Sequence, residues 1–204
     1  MPLAAQGEKL PRHFYLRDTR DVARDLLGKE LVRESPEGIT SGIIVETEAY
    51  LGIDDRACHA FGGRASRRTA VMYEEGGKAY IYLIYGIYWC LNLTTREQGV
   101  PEAVLIRALE PVTGIDLMRQ RRRTAGKRPA DLAGGPGRLC RALAIDGSLY
   151  GEDLAGGRLY VREGIDVPPE LIAASPRVNI AYSGEAVHHE WRYYLKGNPC
   201  VSRP

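Results

Sequence analysis

Residues Lys78–Thr95 constrain the fold more than any other stretch. The run AYIYLIY (Ala79–Tyr85) alternates Tyr80, Tyr82 and Ile84 with Ile81, Leu83 and Tyr85. Gly86 breaks it, and IYWCLNLTT returns. Period-two alternation on both sides of a glycine predicts an antiparallel hairpin with its tip at Gly86. Further strands are expected at Lys29–Arg33, from Ile39 to Tyr50 and at Ala103–Leu109, with a turn through Ser35-Pro36-Glu37-Gly38. Short strands are expected around Leu159–Arg162, Arg177–Ala181 and Tyr193–Lys196. Helices are signalled after Asp18-Thr19, where Val22, Leu26 and Leu27 form one stripe, at Asp116–Arg123, and at Gly137–Ala144 behind Pro136. Strands and helices mix without a regular βαβ alternation. That order predicts an α+β fold: a curved, mainly antiparallel sheet with a protruding hairpin and flanking helices. The 204 residues show no repeat and no linker. A single domain over 1–204 is expected, with about 1–10 as a loose N-terminal tail.

Several classes are excluded on composition. No run of about 18 apolar residues exists, so no transmembrane helix or membrane partner is expected. No signal peptide is read in MPLAAQGEKLPRHFYL, and a cytoplasmic location is expected, nucleoid-associated in a bacterium. Cys58, Cys90, Cys140 and Cys200 lie far apart in sequence, without the close pairs of a zinc site. Four reduced, buried thiols are expected, with no structural zinc site. The net charge of +2 is small, but it is unevenly spread. Arg64, Arg67 and Arg68 fall in an irregular stretch, residues 51–78. Arg119, Arg121, Arg122, Arg123, Lys127 and Arg128 place six cations in ten residues. A charge run of this kind is either a solvated face or a phosphate-binding surface.

Glu46 and Glu48 stand two residues apart near the end of a strand, so they share a face with Tyr50. They read either as a solvated strand end or as carboxylates for general-base work. Their spacing does not say which would be the base. His59 lies in the long irregular stretch, which is longer than an ordinary connection. It reads as structural, or as part of a site in a loop with no other evident task. Tyr80, Tyr82, Tyr85, Tyr88 and Trp89 put five aromatics in ten residues of a chain with 12 Tyr and only 2 Phe. Rings at a hairpin tip suit stacking on bases or wedging into a duplex. Asn92 is a polar amide between Leu91 and Leu93, and reads as a satisfied core group or a pocket group.

These residues carry a resemblance. VETEAYLG (Val45–Gly52), the His59 loop with Gly62–Arg64, YIYLIYGIYWCLN (Tyr80–Asn92), LIRALEP (Leu105–Pro111), GPGRLCRAL (Gly135–Leu143), PRVNI (Pro176–Ile180) and YYLKGNPCVS (Tyr193–Ser202) resemble the alkyladenine, or 3-methyladenine, DNA glycosylase family. The type is the single-domain one unrelated to helix-hairpin-helix glycosylases. The resemblance implies a monomeric, monofunctional hydrolase acting on damaged purines in double-stranded DNA, with no metal and no organic cofactor. It implies Glu48 as the base that activates water, with Arg107 and the carbonyl of Val178 holding that water. It implies Tyr50, His59 and Tyr82 as walls of a flipped-base pocket and Asn92 as the group that rejects guanine's amine. Tyr85 is implied as the wedge, beside Ile87 where relatives often carry Met. Two other readings remain open from the residues alone. One is a nucleic-acid-binding module without catalysis. The other is a different hydrolase using Glu46 and Glu48 as a pair.

Overall fold

The structure, a computed structural model, describes residues 7–123 and 128–203. Two short helices, α1 (Arg12–Tyr15) and α2 (Thr19–Asp25), precede strands β1 (Glu30–Ser35) and β2 (Gly38–Tyr50). Asp18 caps α2, its carboxylate accepting from the Arg20 amide. Residues 51–78 follow as short 3-10 turns and loops. The predicted hairpin is β3 (Ala79–Ile84) and β4 (Tyr88–Thr95), and β5 (Glu102–Thr113) comes next. Helices α3 (Ile115–Arg122), α4 (Pro129–Ala133) and α5 (Pro136–Ala142) then lead to the short strands β6 (Leu159–Arg162), β7 (Ile172–Ser175) and β8 (Arg192–Leu195).

All eight strands join one antiparallel sheet in the order β3-β4-β5-β2-β1-β6, with β8 also on β2 and β7 on β8. The α+β architecture is the expected one. Strand β2 organises it. Its first half pairs with β1, and its second half, Glu46–Glu48, pairs with β8, while β5 runs along its other edge. Apolar side chains from α2, β1, β2, β4 and β5 form the main core, including Leu26, Leu31, Ile44, Leu91, Ile106 and Leu109, all inaccessible. Each such side chain contributes about 1.5–3 kcal/mol of transfer free energy. The core thus fixes β2 and β5, and with them the residues at their ends.

Two expectations change, and the basic run gains partners. Arg177–Ala181 is not a strand: the chain turns there, with Asn179 at φ 61°, and enters a 3-10 segment at Ala181–His188. The strand of that region lies just upstream, at β7. Lys9 and Leu10, expected within a loose N-terminal tail, are held against the sheet. Lys9 bridges to Arg162, and Leu10 is buried with its amide on the Val161 carbonyl; residues 1–6 lie outside the described residues. Three of the six cations of the basic run are paired with carboxylates. Arg119 pairs with Asp116, Arg121 with Glu37, and Arg128 with Asp131, while Lys127 lies outside the described residues.

Candidate active site

Strand alternation brings Glu46, Glu48 and Tyr50 to one side of β2, and a register irregularity brings Arg107 to meet them. Glu46 pairs with Ala108 and Thr47 with Ile106, so β5 holds Arg107 as an extra residue at that step. A bulge of this kind re-aims a side chain. Arg107 donates from Nε to Glu46 Oε1 at 2.8 Å, and its Nη1 lies 3.2 Å from Glu48 Oε1. One guanidinium thereby spans both carboxylates, which are wholly inaccessible.

The two glutamates differ in their other partners. Glu46 also accepts from Arg192 Nε at 2.7 Å and from the Ser202 amide at 2.6 Å. Burial would raise its pKa, but the Arg107 charge and the Ser202 and Arg192 hydrogen bonds outweigh that and hold it below the usual carboxyl range. Glu46 is thus a satisfied structural anion tying the C-terminal segment to the sheet. Glu48 accepts from the Val178 amide at 2.7 Å and from the Tyr50 hydroxyl at 2.8 Å. Burial, and then the Glu48 charge, push the Tyr50 phenol well above its ordinary value, so Tyr50 stays protonated and donates. Tyr50, Arg107 and Val178 all line a cavity of about 520 Å³, a size that suits a small-ligand site. Glu48 therefore sits directly behind the wall of that cavity.

The same cavity gathers Tyr50, His59, Tyr82, Tyr85, Asn92, Arg107 and Val178, every sequence-expected residue except Glu48. The His59 and Tyr82 rings meet edge to face, centroids 4.6 Å apart. His59 Nδ1 lies 2.7 Å from the Tyr80 hydroxyl, and Arg68 Nη2 lies 3.1 Å from Nε2. Arg68 Nη2 also lies 3.4 Å from Nδ1, so one guanidinium nitrogen meets both ring nitrogens. Burial, aided by the Arg68 charge, pushes His59 down to about 4, so it is neutral at neutral pH. Asn92 donates from Nδ2 to the Tyr80 carbonyl at 3.2 Å, which fixes its amide orientation. It is 4% accessible.

Tyr85 stands apart, 77% exposed at the hairpin tip. Tyr85 and Gly86 both have positive φ, 53° and 69°, and the Ile87 amide returns to the Ile84 carbonyl at 3.1 Å. Two left-handed central residues are the signature of a tight type I′ turn. Gly86 adopts that φ freely, whereas Tyr85 pays about 1–2 kcal/mol for it. Ile87 and Tyr88 beside it are also exposed. Gly137, at the start of α5, lets Tyr88 approach: a Cβ there would lie 3.0 Å from Tyr88 Cβ.

Other residues were not visible in the sequence as site residues. Arg177 and Asp55 form a fully buried pair, Nη1 to Oδ2 at 2.5 Å and Nη2 to Oδ1 at 2.8 Å. Asp55 also accepts from the Leu51 and Ala57 amides, and Arg177 lies 4.7 Å from the Tyr50 ring centroid. That pair ties the His59 loop to Tyr50 and to Val178. Tyr182, 69% exposed, also lines the cavity. Only the Asp-Asp at 54–55 and the Pro-Arg at 176–177 hint at such a pair, and nothing local joins them. Among the described residues, no group of three or more His, Cys, Asp or Glu could hold a metal ion. All four cysteines are free and buried.

The fold is thus an antiparallel α+β sheet with a projecting aromatic hairpin, and the site is an aromatic cavity backed by a buried carboxylate. The family model for methylpurine-DNA glycosylase (MPG) matches residues 13–199. The chain is 51% identical over 195 residues to a "Putative 3-methyladenine DNA glycosylase" of Methanocella arvoryzae, covering 95% of this chain and 96% of that one. It is 46% identical over 200 residues to a protein of the same description from Clostridium acetobutylicum, covering 95% and 97%. A third, from Desulfitobacterium hafniense, is 47% identical over 201 residues, covering 96% and 98%. The chain belongs to the methylpurine-DNA glycosylase family, and membership supports glycosylase, hence hydrolase, activity on DNA.

Proposed function

We propose that this protein is a monofunctional DNA glycosylase that flips alkylated or deaminated purines out of duplex DNA and hydrolyses their N-glycosidic bond with a water activated by Glu48. The observation that carries the reading is the placement of Glu48 directly behind the aromatic cavity, with all its partners in the cavity wall. A base stacked inside a duplex hides its glycosidic bond, so the nucleotide must leave the helix. Tyr85 at the exposed tip would fill the vacated stack. Tyr50, His59 and Tyr82 would enclose the extruded purine, and Asn92 would face its edge.

Cleavage develops positive charge on the sugar, which the Glu48 carboxylate stabilises while accepting a proton from the attacking water. Glu48 has no accessible surface, so admitting water requires it to release one partner. The Tyr50 hydroxyl and the Val178 amide are its two uncharged partners. Val178 meets Glu48 through its N–H, and its carbonyl is left to hold the water. The product is an abasic site and a free base, the first step of base excision repair. Incubation with duplexes containing hypoxanthine or 7-methylguanine, followed by chromatography of released bases, tests the reading. Base release supports it; tight binding without release would leave only a nucleic-acid-binding module.

A further inference from the structure

Arg68 is a cation at the back of the cavity wall. Its Cζ lies 4.7 Å from the Tyr82 ring centroid, and its Nη2 reaches His59. The residue is exposed, and among the described residues no carboxylate lies within ion-pair distance of it. Arg68 does not line the base cavity. It lines a separate cavity on the other side of the hairpin, together with Tyr82, Leu83, Trp89 and Tyr150. Its guanidinium thus lies over the Tyr82 ring while the residue borders this second cavity. Tyr50 is backed in the same way by Arg177, whose charge is matched by Asp55. The base cavity itself has no Asp or Glu in its lining; its one charged lining residue is Arg107, because His59 is neutral.

Such a wall treats cationic and neutral purines differently. A cation gains from an aromatic face only while the ring's electron density is free to meet it. Tyr82 already spends that density on Arg68, and the two positive charges repel through the ring. A neutral purine stacks on the same face without that loss. Resting on the glycosylase reading above, we propose that Arg68 is a specificity-determining residue that biases the cavity toward neutral purine lesions and against quaternised, cationic ones. Cationic lesions then depend on their own good leaving-group chemistry rather than on the pocket.

The test uses single-turnover excision from two duplexes, one with 7-methylguanine and one with hypoxanthine, each opposite cytosine. Arg68→Met keeps the unbranched length and removes the charge; Arg68→Lys keeps the charge. The Met variant should move the 7-methylguanine to hypoxanthine specificity ratio about fivefold toward the cation, equivalent to about 1 kcal/mol. The change should appear in half-saturation rather than in the maximal rate, and the Lys variant should keep the wild-type ratio within about twofold. An unchanged ratio, a shift toward hypoxanthine, or an equal loss on both duplexes, as a phosphate contact alone would give, would overturn the assignment. A wild-type protein that releases neither base would overturn the glycosylase reading itself, and this inference with it.

Discussion

Arg177→Met should destabilise the protein far more than an ordinary polar truncation. The guanidinium makes two hydrogen bonds to Asp55 and one to the Ala49 carbonyl, and it packs against Tyr50 and Trp191. Both side chains of the pair are inaccessible. Methionine replaces most of the volume but none of the donors. Asp55 would keep its Leu51 and Ala57 amides at 3.1 and 3.0 Å, yet its charge would be left buried without a counterion. Breaking a buried pair from one side costs about 3–5 kcal/mol. Since the two amides still solvate Asp55, the lower end, about 3 kcal/mol, is expected. At about 2–4 °C per kcal/mol for a chain of this size, the melting temperature should fall by roughly 6–12 °C. Urea unfolding should show a lower midpoint at unchanged m. Adding Asp55→Asn removes the stranded charge, so the double variant should recover at least about 1 kcal/mol relative to Arg177→Met alone. A single-variant cost below about 1 kcal/mol, or strictly additive losses in the double, would refute the view that this pair is a strongly coupled brace.

Tyr85→Ala should slow excision from stable pairs more than from mismatches, because unstacking costs least when the base is already poorly paired; equal losses on paired and mismatched hypoxanthine would count against a wedge at the hairpin tip. Asn92→Ser shortens the amide that Tyr80 orients, and should raise release of normal guanine relative to hypoxanthine about tenfold; an unchanged ratio in the folded variant would make Asn92 purely structural. Glu46 is held below the ordinary carboxyl value of 4.5, against burial, by Arg107, Ser202 and Arg192. With a depressed folded pKa, its stabilisation is fully present above the unfolded value and is lost as pH falls through the folded one. Glu46→Gln should therefore flatten the decline in urea midpoint as pH falls below about 4.5. An unaltered slope would mean that other carboxylates carry the acid limb.

What could be read from the sequence was local. Alternation placed Glu46, Glu48 and Tyr50 on one face and gave the hairpin from Ala79 to Thr95, because period two is written in adjacent residues. The Arg107 bulge could not be read, since register between β2 and β5 depends on chain more than fifty residues away. The strand expected at Arg177–Ala181 failed for a related reason. Apolar residues there alternate, but Arg177 is drawn inward to Asp55 and the Val178 amide goes to Glu48, so neither serves a sheet ladder. Strand β7, four residues long and just after Pro168-Pro169, was too short to signal itself. The basic run overstated the free charge because Glu37, distant in sequence, takes Arg121. From the residues alone the choice between the two glutamates was likewise open: both are buried on Arg107, but Tyr50 and Val178, the other partners of Glu48, line the cavity, whereas Arg192 and Ser202 do not.

The most direct test of the account compares Glu48→Gln with Glu46→Gln in single-turnover base release from a hypoxanthine duplex, with binding measured alongside. Glutamine keeps the shape of Glu48: its oxygen can still accept from the Val178 amide and its NH2 can donate to the Tyr50 hydroxyl oxygen, but it cannot take the water's proton. Glu48→Gln should lose about 10²–10⁴-fold in rate while its affinity for the damaged duplex stays near that of the wild type. Glu46→Gln should lose stability, with the folded fraction retaining most of the rate. A Glu48→Gln protein that releases base at close to the wild-type rate would contradict the account at its centre.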